Sequence, residues 1–318
     1  YCICNRGDTI TRIDELQIKY EFIFDNLKIF RLFKLFRSIS NFNPNIIQIW
    51  HTFLTPYLII KFLFKNVISV GSIRGDGIIE ISKVNYFIKS LYLILPDYYL
   101  TNSINAKKNF TQKTRYQSDR IFCIKNHIEF KNLPVGKKNI SYDIIIVSNL
   151  LPIKRLCVFL EVVKSLRLKF PKINAIILGE GPERKNLEDF INKNQISENI
   201  KIAGKVNNIS EFLSKSKIGI LTSRSEGFPN AVLEYMASGL PVISTNVGDV
   251  KDVVKDDFNG FVLEEKNLKE NMVKKIKYLL ENESIRKDFG HNSFQVITNN
   301  FSEKIYLNNI KRFINRLK

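Results

Sequence analysis

The sequence predicts an α/β chain folded as two doubly wound parallel-sheet domains. Three observations carry that prediction. The 318 residues exceed one typical domain and suit two of roughly 150 residues each. Short apolar runs alternate with helical patterns along the chain, the βαβ rhythm of a parallel sheet with helices on its faces. Residues 218–248 then read as strand, glycine-bearing loop, short helix, strand, a unit that offers free backbone N–H groups and a positive helix end to an anion.

In the first half, strands are expected at Cys2–Cys4, Tyr20–Phe24, Ile46–Trp50, Val67–Ile73, Tyr98–Thr101 and Ile121–Ile124, with helices near 27–39, 56–65 and 83–95. The helix at 27–38 is amphipathic. Ile29, Leu32, Phe33 and Phe36 line one side, and Lys28, Arg31, Lys34 and Arg37 cover the other. It suits either an anionic membrane surface or a core-facing helix with solvated charges. Residues 131–141 are polar, carry Pro134 and Gly136, and have no apolar period, so they read as an interdomain linker.

The second half is more regular. Strands are expected at Ile144–Val147, Ala175–Leu178, Ile200–Ala203, Ile218–Leu221, Val242–Ser244 and Phe261–Leu263. Helices are expected near 154–169, 183–194, 209–215, 230–238, 249–255 and 267–281, and a last one at 301–314 with Ser302 as its N-cap. The expected division is 1–135 for a first domain, 136–298 for a second, and 299–318 for a terminal helix.

Hydrophobic residues make up 44% of the chain, enough for two cores, and the net charge is +18. Such a field favours anionic partners, though charges spread over solvated faces would give the same total. The basic residues lack aromatic interleaving and no recognition motif is present, which argues against a nucleic-acid partner. Four cysteines (Cys2, Cys4, Cys123 and Cys157) form neither a disulfide framework nor a zinc spacing, and point to a reducing cytosol. The longest apolar run, residues 56–70, is cut by Lys61 and Lys65, so no membrane span is expected. The chain starts at Tyr1 inside an apparent strand and reads as a fragment.

Two carboxylates mark the 218–248 unit. Glu226 lies in the loop before the helix, and Glu234 lies in the helix with its side chain leaning back toward the N-terminus. Val232, Leu233 and Met236 form the apolar face, which turns Glu234 away from the core. A phosphate at the helix end with an acid before it and another beside it suits a nucleotide sugar; a solvated loop acid and a surface helix acid would show the same spacing.

The run Ser225-Glu-Gly-Phe-Pro-Asn-Ala-Val-Leu-Glu-Tyr-Met-Ala-Ser-Gly-Leu-Pro-Val-Ile-Ser-Thr-Asn-Val-Gly248 resembles the donor-site signature of the retaining glycosyltransferases of family 4, the group 1 glycosyl transferases with the GT-B fold. Glu226 and Glu234 match that family's E-x7-E element. The resemblance implies two Rossmann-like domains facing across a cleft, with a UDP- or GDP-sugar donor on the second. It implies a glycan or lipid-linked acceptor on the first, same-face attack, and no metal or other cofactor. Gly227, Phe228, Pro229 and Asn230 are then donor-binding residues, with Glu226 also catalytic.

Residues 148–155 are similar to the family's diphosphate loop. Lys154 matches its lysine and is the second catalytic candidate, but Asn149 stands where the family has arginine. Arg155 is the candidate substitute cation, provided it turns inward. Gly179 begins a Gly-x-Gly-Pro turn similar to the family's, and Lys205 and Val206 fall in its nucleobase-contacting loop, where a plain strand-end loop is equally open. On the acceptor side, many relatives place a histidine after the strand matching Val67–Ile73; here Arg74 and Asp76 occupy that region, and His51 is the other polar candidate. A cytoplasmic enzyme, peripheral on the inner face of the plasma membrane if the basic helix docks there, is the expected whole. A GT-B sugar-nucleotide epimerase and a non-catalytic nucleotide-sugar-binding scaffold remain alternatives.

Overall fold

The computed structural model describes residues 2–4, 20–22, 28–78, 82, 85–128 and 139–317, with side chains from Leu32 onward. Most of the expected linker, the boundary at residue 135, and the side chains of Cys2, Cys4, Lys28, Ile29 and Arg31 lie outside the described residues.

Every strand pairing among the described residues is parallel. Strands β1 (Cys2–Cys4) and β2 (Tyr20–Phe22) pair with each other. A four-stranded sheet runs β3 (Ile46–Gln48), β4 (Ile68–Ile73), β5 (Tyr98–Thr101), β6 (Ile121–Cys123) in sequential order. The second sheet holds β7 (Tyr142–Val147), β8 (Ala175–Leu178), β9 (Ile200–Gly204), β10 (Ser216–Leu221), β11 (Val242–Thr245) and β12 (Gly260–Leu263) in the order β12-β11-β10-β7-β8-β9. The strand order reverses between β7 and β10, and a crevice opens there at the strands' carboxyl ends.

The helices are α1 (Lys28–Phe42), α2 (Tyr86–Ile94), α3 (Ile104–Thr114), α4 (Leu156–Arg167), α5 (Arg184–Lys193), α6 (Ile209–Ser214), α7 (Asn230–Ala237), α8 (Val250–Val253), α9 (Leu268–Glu281), α10 (Glu283–Asn300) and α11 (Glu303–Leu317). Alternation along the strands feeds two cores. Ile144, Ile146, Ile177 and Ile218 face α4 and α9 through Phe159, Val163, Met272 and Ile276. Ile145, Ile176 and Val242 face α7 and α10 through Leu233, Met236 and Ile297. Both faces are covered, which is why these strands read as nearly continuous apolar runs. In the first sheet Ile73 and Tyr99 pack on Phe110 of α3, while Val70 and Leu100 pack on Phe313 and Leu317 of α11. The last helix thus lies against the first domain, with the Phe122 and Phe313 ring centroids 4.9 Å apart.

One local expectation needs correction, and two helices were not expected. The segment expected as a helix near 56–65 is a 3-10 helix over Thr52–Leu63. Pro56 has no N–H to give the Thr52 carbonyl, which instead accepts from the Thr55 hydroxyl at 2.6 Å. Helix α3 escapes apolar periodicity because, among its side chains, only Ala106 and Phe110 are buried. Helix α10 escapes it because its buried face is built from Arg286, Phe289, Gly290, Ser293 and Ile297, so an aliphatic stripe is missing. Gly290 lies against the Gly239 carbonyl with no room for a side chain. Among the described residues no helix is long and apolar enough to cross a membrane. Cys157 is exposed, and burial pushes the Cys123 thiol up to about 11.

Candidate functional site

A cavity of about 950 Å³ opens at the β7/β10 switch point, between the carboxyl ends of both sheets. The second domain lines it with Asn149, Lys154, Gly179, Lys205, Val206, Glu226, Phe228, Pro229, Asn230 and Glu234, and the first with His51 and Arg74. All twelve were singled out from the sequence.

The loop after β7 is shaped by backbone constraints. Gly179, at φ +138, lies so close to the Ser148 carbonyl that a Cβ would collide with it. Leu150 donates to Glu180 at 2.9 Å, and its carbonyl accepts from Glu183 N at 3.0 Å, which docks the Gly-x-Gly-Pro turn on the loop after β7. Pro152–Lys154 forms a 3-10 turn. The Lys154 carbonyl accepts from the Thr222 hydroxyl at 2.8 Å, and its ammonium meets Glu226 Oε1 at 2.6 Å. Ser223 Oγ donates to the same oxygen at 2.6 Å.

Arg155 is a correction. It does not line the cavity. It adopts a left-handed conformation, φ 51°, ψ 43°, that turns its side chain toward the end of β10. There Nε donates to the Thr222 carbonyl at 2.9 Å and Nη2 to Ser223 at 3.2 Å, while both Nη atoms meet the Glu265 carboxylate at 2.7 and 2.8 Å. This pairing holds Glu265 below the usual carboxylate range. The Arg155 guanidinium is thus committed to Glu265 and the end of β10 rather than to the cavity.

Helix α7 begins in the cavity wall at Asn230 and runs to Ala237, and beyond it the Gly239 (φ +66) and Leu240 N–H groups return to the Met236 and Tyr235 carbonyls. Glu234 faces the cavity, and among the described residues its carboxylate has no hydrogen-bond partner; burial raises its pKa. Tyr235, the next residue, is wholly buried against Gly219. Its hydroxyl accepts from Val147 N at 2.6 Å and donates to the Ile220 carbonyl at 3.2 Å, tying β7 to β10 at the mouth of the crevice.

Asp76 and Gly227 stand behind the wall. Asp76 accepts from Ser225 Oγ at 2.8 Å and from Ile78 N at 2.8 Å. Gly227 is pressed on the first domain, where a Cβ would sit 2.6 Å from the Gly75 carbonyl and 2.7 Å from that of Arg74. The structure adds Trp50, Asn102, Asn126, His127 and Tyr306 to the lining. Arg74 stacks on Trp50 at 4.7 Å, His127 stacks on Tyr306 at 4.4 Å, and Asn126 bonds Asn230 across the domains at 2.6 Å. Trp50, Asn102, Asn126 and His127 follow β3, β5 and β6, so position at a strand's carboxyl end was the available signal. No group of three or more potential metal-ligating residues occurs among the described residues.

The family model for glycosyl transferases group 1 matches residues 126–296, more than half of the chain. A glycosyltransferase of Methanocaldococcus jannaschii is 31% identical over 212 residues, covering 61% of this chain and 58% of the relative. The poly(ribitol-phosphate) alpha-N-acetylglucosaminyltransferase of Staphylococcus aureus is 25% identical over 252 residues, covering 76% and 50%. The chain thus spans about half the length of the curated relatives it matches. Among solved structures, Anabaena HepE in complex with UDP superposes with a TM-score of 0.85 at 16% identity, over 99% of this chain and 91% of that one. That likeness is one of fold, and the fold is GT-B.

Proposed function

The chain belongs to the group 1 glycosyl transferases, and from that membership we propose that it moves a sugar from a nucleotide diphosphate sugar to a glycan or lipid-linked acceptor with retention of configuration. One observation carries the reading: Lys154, Glu226, Glu234 and the start of α7 all border a single cavity at the switch point. The name of one relative, a poly(ribitol-phosphate) alpha-N-acetylglucosaminyltransferase, and of a fold neighbour solved with UDP support the class of donor and acceptor.

In this reading the diphosphate sits at the start of α7, near Phe228–Ala231, with Lys154 as its side-chain cation. Glu226 takes sugar hydroxyls, Glu234 the ribose diol, and Lys205 and Val206 flank the nucleobase. The hard step is breaking the bond between the anomeric carbon and the phosphate oxygen. Negative charge grows on that oxygen, and Lys154 and the positive end of α7 stabilise it without need of a metal. The acceptor hydroxyl attacks from the same face, and the departing phosphate oxygen takes its proton. His51 and Arg74 lie on the first-domain wall, where the acceptor enters.

A peripheral place on an anionic membrane belongs to the same proposal. Between Asp25 and Asp76 the sequence has no acidic residue. In that stretch Phe33 is 65% exposed and Phe53 and Phe62 are each 67% exposed. Aromatic side chains among lysines and arginines suit a lipid headgroup layer.

A panel of UDP- and GDP-sugars tests the activity, reading donor binding and nucleotide release together, with and without glycan acceptors. Acceptor-dependent release supports the transferase. Donor binding without release supports the scaffold, and absence of binding to every donor overturns the reading.

A further inference from the structure

We propose that Asp249 is a cross-domain positioning residue, a clasp that fixes the loop carrying Glu226 against the first domain. The proposal rests on the donor-site reading above for its kinetic consequence, but its geometry stands apart from that reading.

Asp249 precedes α8 in the second domain and is 1% exposed. Its carboxylate enters the N-terminus of α3 in the first domain. Oδ1 accepts from Ser103 Oγ at 2.9 Å and Asn105 N at 2.9 Å, and Oδ2 accepts from Ile104 N at 2.5 Å. The first N–H groups of a helix have no partner within it and form its positive end, so an anion there is doubly favoured. A buried carboxylate is costly unless hydrogen-bonded, and three donors meet that need. Helix α3 already has a local cap, since Ser103 Oγ accepts from Ala106 N at 3.0 Å. The acid more than 140 residues away therefore does something a local cap does not: it joins the two domains.

The other side of Asp249 leads into the site. Its N–H donates to the Gly227 carbonyl at 3.2 Å. Gly248, at φ +52, lies so close to the Glu226 and Gly227 carbonyls that a side chain would not fit. Gly227 in turn presses on the Arg74 and Gly75 carbonyls. Asn105 Nδ2 also donates to the Gly248 carbonyl at 2.6 Å. Residues 226–227 are thus held between Arg74–Gly75 on one side and Gly248–Asp249 on the other, and the carboxylate in α3 keeps that arrangement shut. A donor whose site is complete only when shut binds in proportion to the shut fraction, so losing the clasp raises the donor KM and leaves saturated kcat nearly intact.

Hydrogen exchange on the unliganded 318-residue protein tests this, comparing wild type with Asp249→Ala, Asp249→Asn and Ser103→Ala. In Asp249→Ala, the amides of Ile104 and Asn105 and that of residue 249, which donates to the Gly227 carbonyl, should exchange about tenfold faster or more, as expected when a charge-assisted bond closing a local unit is lost. Ser103→Ala, which removes the local cap and one of the three donors but leaves the Ile104 and Asn105 N–H groups on the carboxylate, should loosen α3 and change the residue 249 amide far less than Asp249→Ala does. Asp249→Asn, of the same shape, should fall between and guards against misfolding of the alanine variant. If Asp249→Ala and Asp249→Asn speed exchange in α3 alone, Asp249 is a helix cap and the clasp is overturned. Where a donor is turned over, KM should rise for Asp249→Ala with kcat retained, and unchanged KM also counts against the clasp. If wild type turns over no nucleotide sugar, the functional reading fails while the exchange result still decides the clasp.

Discussion

Lys154 Nζ lies 2.6 Å from Glu226 Oε1, so the two residues proposed for the chemistry form an ion pair within one cavity wall. Both side chains are mostly shielded, and Ser223 Oγ shares the same carboxylate oxygen. The pair sets the cation at the mouth of the diphosphate loop before any donor arrives. Asn149, on the same loop, adds no charge, and Arg155 is committed to Glu265.

Lys154→Ala should therefore cut kcat by about 10²–10³, the loss seen when one preorganised charge-stabilising group is removed. Arg155→Ala should instead act on stability. It strips partners from the carbonyls of Thr222 and Ser223, at a cost of about 1–3 kcal/mol, while kcat falls far less. Turnover and denaturant unfolding of the two variants, side by side, separate the roles. A larger kcat loss for Arg155→Ala would move the phosphate assignment to that residue.

Glu234 should give the donor affinity an acidic limb. Burial raises its pKa, so part of the population is protonated at pH values where an ordinary glutamate is ionised. Ribose hydroxyls donate best to the ionised form, so donor KM should fall as pH rises through that raised pKa. The stability sign is opposite. A raised folded pKa favours the protonated fold, and this contribution is present below the unfolded value and lost as pH rises through the folded one. Glu234→Gln should raise donor KM at neutral pH and flatten its acidic limb. A donor KM with the same pH profile in both proteins removes the assignment.

The strand positions, the alternation of six strands with helices in the second domain and the Glu226/Glu234 pair were legible because each is a local pattern: apolar alternation, a glycine turn or a fixed spacing. What stayed hidden depends on distant partners. Arg155 reads as a spare cation until its left-handed backbone and Glu265 are seen together. Tyr235 reads as one more apolar helix residue, since nothing in its neighbours reveals a bond to Val147, 88 positions away. The buried face of α10, with Arg286, Gly290 and Ser293, defeats any count of aliphatic residues because packing there is by close backbone approach.

Vesicle binding tests the membrane part of the proposal. The net charge of +18 and the acid-free stretch between Asp25 and Asp76 predict co-sedimentation with anionic vesicles and little with neutral ones. Binding should weaken as salt rises, because exposed charges are screened beyond about 10 Å at 0.1 M. Phe33→Ser with Phe62→Ser should weaken it at fixed salt, since both rings are exposed. Equal binding to neutral and anionic vesicles would exclude the electrostatic account.

Tyr235→Phe isolates one hydroxyl at the switch point. The ring keeps its packing against Gly219, so no cavity forms and the change is confined to two hydrogen bonds. The Val147 N–H, half-buried at the end of β7, loses its partner. Leaving a buried donor unpaired costs about 1–3 kcal/mol, which denaturant unfolding should register as a lower midpoint at constant slope. The effect should also reach the site. Val147 lines the cavity directly before Ser148 and Asn149, so a looser β7 end misplaces the diphosphate loop and lowers kcat without removing any charge. Gly219→Ala makes the complementary test, since its methyl group would drive into the Tyr235 ring and displace the same hydroxyl by sterics. If Tyr235→Phe leaves both the midpoint and kcat unchanged, the tie between β7 and β10 holds nothing that the sheet does not already hold.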